Sequence, residues 1–258
     1  ANLYKIAVDV QGQELTSYLT KDGENFFPQA MNIEEVKKQK EAQAKAEEES
    51  NKPVPKSQKP KVEAFVMSYC PYGTQVQKGL LPVVETLGEK MDFSFKFVDY
   101  AMHKEKEVTE NLRQYCIGQN DSRQYYNYLD CFLKSDDSEK CLNEAGVNQQ
   151  RLQTCMDSTD QEYQITQKLE DKESWSSQFP PFDIHKADNE KYGVQGSPTL
   201  VINGQKTSSA RDPQSLLDKI CSAYEEKPAE CDQELSTEAP SPGFGEGTAS
   251  GASEGSCG

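Results

Sequence analysis

A cysteine followed by a proline stands where a predicted buried strand meets a predicted helix. The strand is the apolar run 62–67, and Cys70-Pro71-Tyr72-Gly73 lies between it and the helical pattern of 75–87. A helix N-terminus offers free N–H groups and a positive dipole end, which stabilise a thiolate and lower the pKa of the thiol. Pro71 suits the first helical position because its missing N–H would have no helical partner there. Cys70 is therefore a candidate nucleophile, the alternative being a structural cysteine.

Gly73 stands where a two-cysteine site would have its second thiol. Without that neighbour, a mixed disulfide at Cys70 has no adjacent cysteine to resolve it. Three chemistries stay open: a second thiol of the substrate resolves it, a distant cysteine of this chain resolves it, or the site is degenerate and only binds. Cys257 is the candidate distant thiol, because a flexible tail running from Cys231 spans roughly 28 Å. A tail cysteine that is free or pairs elsewhere is the simpler alternative.

A second proline lies before a predicted strand. Gly196-Ser197-Pro198 leads into the strand 199–202, and Asn203-Gly204 then predicts a hairpin turn. An X-Pro bond between a glycine-containing turn and a strand is a candidate for a cis peptide. The alternative is an ordinary trans proline at the start of a strand.

The elements alternate as strand, helix, strand, helical insert, hairpin and helix, with the clearest period-two strand at 91–98. The closing helix is predicted at 213–224. In chain order the predicted segments are a small β unit at 1–33, a charged, proline-rich helical linker at 34–61, a main domain at 62–232 with a helical insert at about 101–172, and a disordered Gly/Ser-rich tail at 233–258.

Charge and hydropathy exclude several classes of protein. The net charge is −15, from 43 acidic and 28 basic residues, which argues against nucleic acid as a partner because phosphate binding needs clustered cations. No run approaches the roughly 18 apolar residues that span a bilayer, so no transmembrane segment is predicted. The chain opens without a signal-peptide pattern, and we expect any export segment to have been removed.

Eight cysteines indicate an oxidising compartment. The sequence has two histidines and no Cys-x-x-Cys pair, which argues against a zinc site and favours structural disulfides. The predicted location is therefore extracytoplasmic, meaning periplasmic, secreted, cell-surface or lumenal. No metal or organic cofactor is predicted.

The chain resembles the thioredoxin-fold thiol–disulfide oxidoreductases, both the DsbA-like proteins and the gamma-interferon-inducible lysosomal thiol reductase family. The segments that carry the resemblance are Cys70-Pro71-Tyr72-Gly73, which departs from the paired-cysteine pattern at Gly73, the strand and hairpin 196–204, the insert cysteines and the closing helix with Cys221 and Cys231. The resemblance implies an α/β, thioredoxin-like fold with an inserted disulfide-bearing helical domain, plus the small N-terminal β meander.

The resemblance also implies roles for the residues of the site. Cys70 is the catalytic nucleophile, with Pro71, Tyr72 and Gly73 in its loop. The predicted substrate-binding residues are Tyr69, Ser197, Pro198 and Thr199. The implied partners are cysteine-containing proteins or peptides, with a membrane redox partner as a further candidate.

The other cysteines are predicted to be structural. Cys221 and Cys231 can close a local loop, and the four insert cysteines allow three pairings. We favour Cys131–Cys141 and Cys116–Cys155. His185 lies 12 residues before Ser197 and is a candidate for tuning Cys70.

The predicted function is thiol–disulfide exchange, as an oxidoreductase or isomerase. The main alternative is a catalytically degenerate binding or scaffold module, which Gly73 favours. A peroxidase that uses Cys70 is a third hypothesis, supported only by Thr74.

Overall fold

The computed structural model describes residues 3–10, 13–27, 34, 37, 52–176, 178–249 and 255–258. The chain divides into two compact units, Ala1–Glu49 and Ser50–Gly258.

The first unit contains a small antiparallel sheet. Its strands are β1 (Leu3–Val10), β2 (Gln13–Thr20) and β3 (Phe26–Phe27), in the order β1-β2-β3. The predicted N-terminal β meander is thus confirmed. Among its described side chains, Leu3, Tyr4, Phe26 and Phe27 are large, apolar and exposed. The first part of the predicted linker, residues 34–51, lies outside the described residues except at positions 34 and 37.

The second unit is built on a four-stranded mixed sheet. Its strands are β4 (Lys61–Val66), β5 (Asp92–Phe97), β6 (Thr199–Ile202) and β7 (Gln205–Thr207), in the order β5-β4-β6-β7. β4 pairs parallel with β5 and antiparallel with β6, which pairs antiparallel with β7. β4 is buried along nearly its whole length, as expected for a central strand covered on both faces. This is the thioredoxin-like arrangement, and the predicted fold class is confirmed.

Helices cover the sheet and form the insert. They are α1 (Pro71–Leu87), α2 (Lys104–Asn120), α3 (Ser122–Ser135), α4 (Ser138–Glu144), α5 (Gln149–Tyr163), α6 (Ile165–Glu170), α7 (Lys186–Tyr192) and α8 (Pro213–Cys221). Helices α2 to α6 form the helical insert between β5 and β6. Among the described residues, no helix has the length and apolar character needed to cross a membrane.

Two disulfides hold the insert together. Cys116–Cys155 joins α2 to α5, and Cys131–Cys141 joins α3 to α4. The rings of Tyr128 and Phe132 stack within α3, and Tyr128 Oη links α3 to α2 because it donates to Glu110 Oε1 at 2.8 Å. A native disulfide contributes about 2–4 kcal/mol, which supplements a core that has few large aliphatic side chains in this region.

Two segments differ from the sequence-based expectations. Residues 52–60, predicted as part of a linker, lie on the second unit, where Val54 is buried and the Asn203 side-chain amide donates to Pro55 O. The tail was predicted to be disordered, whereas residues 233–249 follow the surface of α1, with Gly243 N donating to Pro71 O. The physical reason is that long-range hydrogen bonds compensate for the low hydrophobicity of the segment.

Candidate functional site

Cys70 caps the N-terminus of α1. Its backbone is extended (φ −70°, ψ 120°), and its Sγ accepts a hydrogen bond from Gly73 N at 3.3 Å. The helix begins at Pro71 rather than at residue 75, because Cys70 serves as the cap and Pro71 takes the first helical position. In the reduced protein, the same N–H would stabilise a thiolate at Cys70.

Cys70 is joined to Cys257 by a disulfide that closes a sequence separation of 187 residues. In this state the side chain of Cys70 is fully buried. It lies in a small apolar cluster that includes Phe65, Met67 and Val201, with Tyr72 and Cys257 at its edge. The tail thus covers the sulfur that the sequence indicates as the nucleophile.

The backbone of Cys257 is also paired with the strand-entry loop. Ser197 N donates to Cys257 O, and Cys257 N donates to Ser197 O, both at 2.7 Å. The Ser197–Pro198 peptide bond is cis. Thr199 Oγ1 donates to Gly196 O at 2.8 Å and so braces the turn rather than pointing at Cys257. The residue pair 197 and 257 therefore forms a short antiparallel bridge directly beside the disulfide.

The insert holds the loop that precedes Cys70. Asn111 Oδ1 accepts from Ser68 N at 3.1 Å, and Glu107 Oε1 accepts from Tyr69 N at 3.0 Å. Both acceptors project from α2, and both side chains are buried. Because a buried N–H without a partner is costly, these two bonds position the backbone just before Cys70.

Tyr69 lies at the boundary between the insert, the loop and the tail. Its ring contacts Phe132 and Phe244, with centroids 5.8 and 5.5 Å away, and Lys106 Nζ lies 3.8 Å from its centroid. Burial, together with the charge of Glu110, raises the pKa of the Tyr69 phenol well above its ordinary value. Tyr69 therefore remains a neutral ring that fixes the tail.

Tyr72 and Arg211 form the other wall of the site. The guanidinium of Arg211 lies 5.2 Å from the centre of the Tyr72 ring. Its Nη1 donates to Gln75 Oε1 at 3.0 Å, and its Nη2 donates to Gly255 O. Arg211 thus connects α1 to the tail two residues before Cys257.

Gly73 is a buried position with no space for a side chain. A Cβ at Gly73 would collide with Ser197 Oγ and would lie 3.1 Å from Met67 O. Ser197 Oγ is held there because it accepts from Met67 N at 2.9 Å. The position that carries the second cysteine of a two-cysteine site is therefore filled by the hydroxyl of Ser197.

His185 belongs to the packing of β5. Its Nδ1 accepts from Phe97 N at 3.0 Å, and its ring meets the rings of Phe97 and Tyr115. Burial, aided by the charge of Lys96, lowers the pKa of His185 to about 4. None of the contacts found for it among the described residues involves Cys70, so the structure gives no support to a tuning role.

The remaining cysteines are all paired. Cys221–Cys231 links α8 to the segment after it. The other two disulfides, Cys116–Cys155 and Cys131–Cys141, lie in the insert. Every cysteine of the chain thus lies in a disulfide within the described residues.

Sequence reasoning missed several residues of this site. Glu107, Asn111 and Arg211 are polar residues in polar stretches, and no local pattern marks them. Phe244 is the exception, since it is the one aromatic residue in the tail sequence, and that isolation was an available signal for an anchor.

Comparisons with known proteins found matches among solved structures alone. No protein-family model matches the chain, and no curated protein matches it. DsbA from Mycobacterium tuberculosis, in its reduced form, is 16% identical with a TM-score of 0.48 and covers 71% of this chain and 94% of its own. The reduced disulfide oxidoreductase DsbG of the same organism is 16% identical with a TM-score of 0.46, covering 70% and 88%. The thiol–disulfide exchange protein alpha-DsbA2 from Wolbachia pipientis is 13% identical with a TM-score of 0.44, covering 74% and 98%. Because these TM-scores lie below 0.5, the similarities carry no argument, and the fold and the function are argued from the topology and from the site.

Proposed function

We propose that this chain carries out thiol–disulfide exchange on cysteine-containing proteins outside the cytoplasm, with Cys70 as nucleophile and Cys257 as resolving cysteine. One observation carries the proposal. Cys70 caps a helix and is joined to a cysteine 187 residues away, in a tail whose backbone is bridged to Ser197. The four disulfides support an oxidising location.

The proposed reduction of a substrate disulfide proceeds in two exchanges. The Cys70 thiolate attacks one substrate sulfur, and the other substrate sulfur leaves as a thiolate and takes a proton from water. The Cys257 thiolate then attacks Cys70 Sγ, which releases the second substrate thiol and forms the Cys70–Cys257 disulfide. Two electrons pass from the cysteine pair to the substrate. Oxidation of a substrate dithiol is the same sequence in reverse.

The local groups have defined parts in these steps. Gly73 N donates to Cys70 Sγ, which favours the thiolate both as attacking and as leaving group. Ser197 offers its N–H and its carbonyl to the backbone beside the reacting cysteine. Access of a substrate requires that residues 255–258 leave the site, since Cys70 is fully buried while Cys257 is bound.

The finer resemblance to the gamma-interferon-inducible lysosomal thiol reductase family is part of this proposal. The shared features are the Cys70-Pro71-Tyr72-Gly73 segment and the cysteine-bearing insert. The choice between oxidoreductase and isomerase depends on which thiol resolves the mixed disulfide. An isomerase would use a second substrate thiol instead of Cys257.

The second candidate function is a catalytically degenerate binding or scaffold module. It is favoured by the absence of space for a cysteine at Gly73 and by the complete burial of Cys70 under the tail. In that case the Cys70–Cys257 disulfide would be a permanent structural link.

The deciding measurement is pH-dependent alkylation of the reduced protein, read by peptide mass spectrometry under non-reducing conditions. We expect a Cys70 thiol pKa below the ordinary value of about 8.5. We also expect Cys257→Ala to accumulate a mixed disulfide with a peptide disulfide, whereas Cys70→Ala forms none. Ser256→Ala is the matched control because Ser256 is exposed next to Cys257. An unreactive Cys70, or one with an ordinary thiol pKa, would leave only the binding module.

A further inference from the structure

Residues 255–258 lie beside Cys70 as an extended peptide would. Their contacts are the disulfide to Cys70, the two backbone hydrogen bonds between Cys257 and Ser197, and the hydrogen bond from Arg211 to Gly255 O. Backbone pairing of this kind is how an added strand is held at the edge of a folded domain. The tail therefore shows how a cysteine-containing segment fits the site.

The position after the cysteine accepts only glycine in this pose. A Cβ at Gly258 would collide with Gln195 O, Gly196 Cα and Tyr100 Oη. Two of these three neighbours are backbone atoms, and the hydroxyl is held because it donates to Gln195 O at 2.9 Å. Gly258 also has φ +139°, a conformation that residues with a side chain rarely adopt. The lack of space and the positive φ therefore both require glycine at this position.

The position two residues before the cysteine is restricted by an aromatic ring. A Cβ at Gly255 would fall on the ring of Tyr72. That ring is part of a side chain that can rotate, although Arg211 lies against it. We expect a larger residue here to be disfavoured less strongly than one after the cysteine, because a rotamer change can relieve the collision.

The position directly before the cysteine is open. The side chain of Ser256 is exposed, and no hydrogen bond joins it to another residue that the structure describes. On the opposite side, a Cβ at Gly196 would collide with Cys257 O, so the floor of the site is a glycine that lets the peptide backbone approach. The restricted positions are therefore the one that lies two residues before the cysteine and the one directly after it.

We propose that the site selects extended polypeptide segments in which the cysteine attacked by Cys70 is directly followed by glycine. The residue two positions before that cysteine is small, and the residue directly before it can be of any kind. This selectivity rests on the proposed function and names its substrate class. The contact from Arg211 to the carbonyl two residues before the cysteine favours a polypeptide over a lone Cys-Gly unit.

The test uses the reduced, full-length Cys257→Ala protein, so that the tail cannot compete covalently. The probes are blocked peptides of sequence Gly-Ser-Cys-Gly, each carrying thionitrobenzoate on the cysteine as a mixed disulfide. Attack of the Cys70 thiolate on the peptide sulfur forms the protein–peptide disulfide and releases the coloured thionitrobenzoate. The series changes glycine to alanine after the cysteine, glycine to leucine two before it, and serine to leucine directly before it. A blocked Cys-Gly dipeptide completes the set.

We expect alanine after the cysteine to slow the release by about tenfold or more, as a positive φ and a backbone collision together predict. Leucine two positions before the cysteine should slow the release by a smaller factor, and leucine directly before the cysteine should change the rate by less than about twofold. The blocked Cys-Gly dipeptide should release thionitrobenzoate more slowly than the parent peptide does. Equal rates along the series would overturn the selectivity and leave exchange at Cys70 intact. Failure of every peptide, while Cys70 still reacts with the peptide-free dinitrobenzoate disulfide, would overturn the proposed function itself.

The same selectivity is measurable in the intact chain. Gly258→Ala should lower the equilibrium constant for the Cys70–Cys257 disulfide in a glutathione redox buffer by about tenfold relative to Ser256→Ala. An unchanged constant would contradict the restriction after the cysteine, whatever the activity of the protein toward substrates.

Discussion

At the scale of single residues, Gly73 and Ser197 share one small volume at the start of α1. The hydroxyl of Ser197 occupies the space that a Cβ at Gly73 would need, and it stays there because Met67 N donates to it. The exclusion of a side chain at Gly73 is therefore a property of the pair. In the proposed function, a second thiol for Cys70 therefore has to come from elsewhere.

The pair can be tested by a double-mutant cycle. Gly73→Ala should lower the free energy of unfolding by about 1–3 kcal/mol, since overpacking forces neighbours to move. Ser197→Ala should also be destabilising, by about 1–3 kcal/mol, because it leaves the buried Met67 N–H without a partner. The double variant should lose less than the sum, because removal of the hydroxyl relieves the collision.

Denaturant unfolding measures each corner of the cycle. The control is Gly118→Ala in α2, where a Cβ would make only ordinary contacts with Tyr125 at 3.5 Å or more, and no loss of stability is expected there. Strict additivity of the two site substitutions would show that they do not share this volume.

His185 is the second residue whose environment makes a measurable prediction. Its pKa of about 4 in the folded protein lies below the ordinary value of about 6.5. The unfolded chain therefore binds the proton more readily than the folded protein does. The contribution of neutral His185 to the free energy of unfolding is complete above about pH 6.5 and is lost as the pH falls toward 4. Protonation of Nδ1 would also abolish its acceptance from Phe97 N. The pH-dependent loss should amount to about 3 kcal/mol.

His185→Asn isolates this contribution, because Asn Oδ1 can accept from Phe97 N without titrating. Unfolding free energies between pH 7 and pH 4 should fall less steeply for this variant than for the wild type. His103→Asn is the control for the loss of an exposed histidine. Parallel curves for wild type and His185→Asn would refute the assignment.

At the scale of elements, helix α2 connects the insert to the reactive loop. Asn111 and Glu107 reach out of it to the N–H groups of Ser68 and Tyr69, and Glu107 Oε2 also accepts from His103 N at 3.1 Å. The insert is in turn tied together by its two disulfides. Its position therefore determines how rigidly Cys70 is presented.

Asn111→Ala tests this role of α2. The variant leaves the buried Ser68 N–H unsatisfied, and the free energy of unfolding should fall by about 1–3 kcal/mol. Faster hydrogen exchange at the Ser68 amide than in Gln119→Ala, an exposed change on the same helix, is the local readout. Wild-type protection of Ser68 in Asn111→Ala would show that α2 does not hold the loop.

At the scale of the whole second unit, the tail returns across α1 to reach Cys70. Lys78 Nζ donates to Ser241 O at 2.6 Å, Thr74 Oγ1 to Gly243 O at 3.3 Å, and the ring of Phe244 lies 5.2 Å from that of Phe132. Burial lowers the pKa of Lys78. These contacts hold the tail against the second unit at residues 241–244. This raises the effective concentration of the Cys257 thiol at Cys70.

Phe244→Ala should weaken this docking. We expect the equilibrium constant for the Cys70–Cys257 disulfide to fall by about tenfold in a glutathione redox buffer, because a longer free segment lowers the effective concentration. Thr248→Ala, an exposed change in the same tail, is the control. Equal equilibrium constants for the two variants would show that Phe244 does not anchor the tail.

Much of the framework was open to prediction from local sequence. The strands of the core, the placement of Cys70 between a buried strand and a helix, and the proline before β6 all follow from hydrophobic period and turn chemistry over a few residues. The four insert cysteines allow three pairings, and the favoured one, Cys131–Cys141 with Cys116–Cys155, is the one that the structure contains. Local rules served these features because each depends on its immediate chain neighbours.

The sequence by itself determined the order of strands and helices and the place of Cys70 at a helix N-terminus. Only the tertiary structure decided that Cys257 meets Cys70, that Ser197 Oγ excludes a side chain at Gly73, and that Arg211 reaches Gly255 O. Each of these joins residues more than 40 positions apart. No local periodicity encodes such contacts, because they form only when chain folding offsets the entropy cost of closing a long loop.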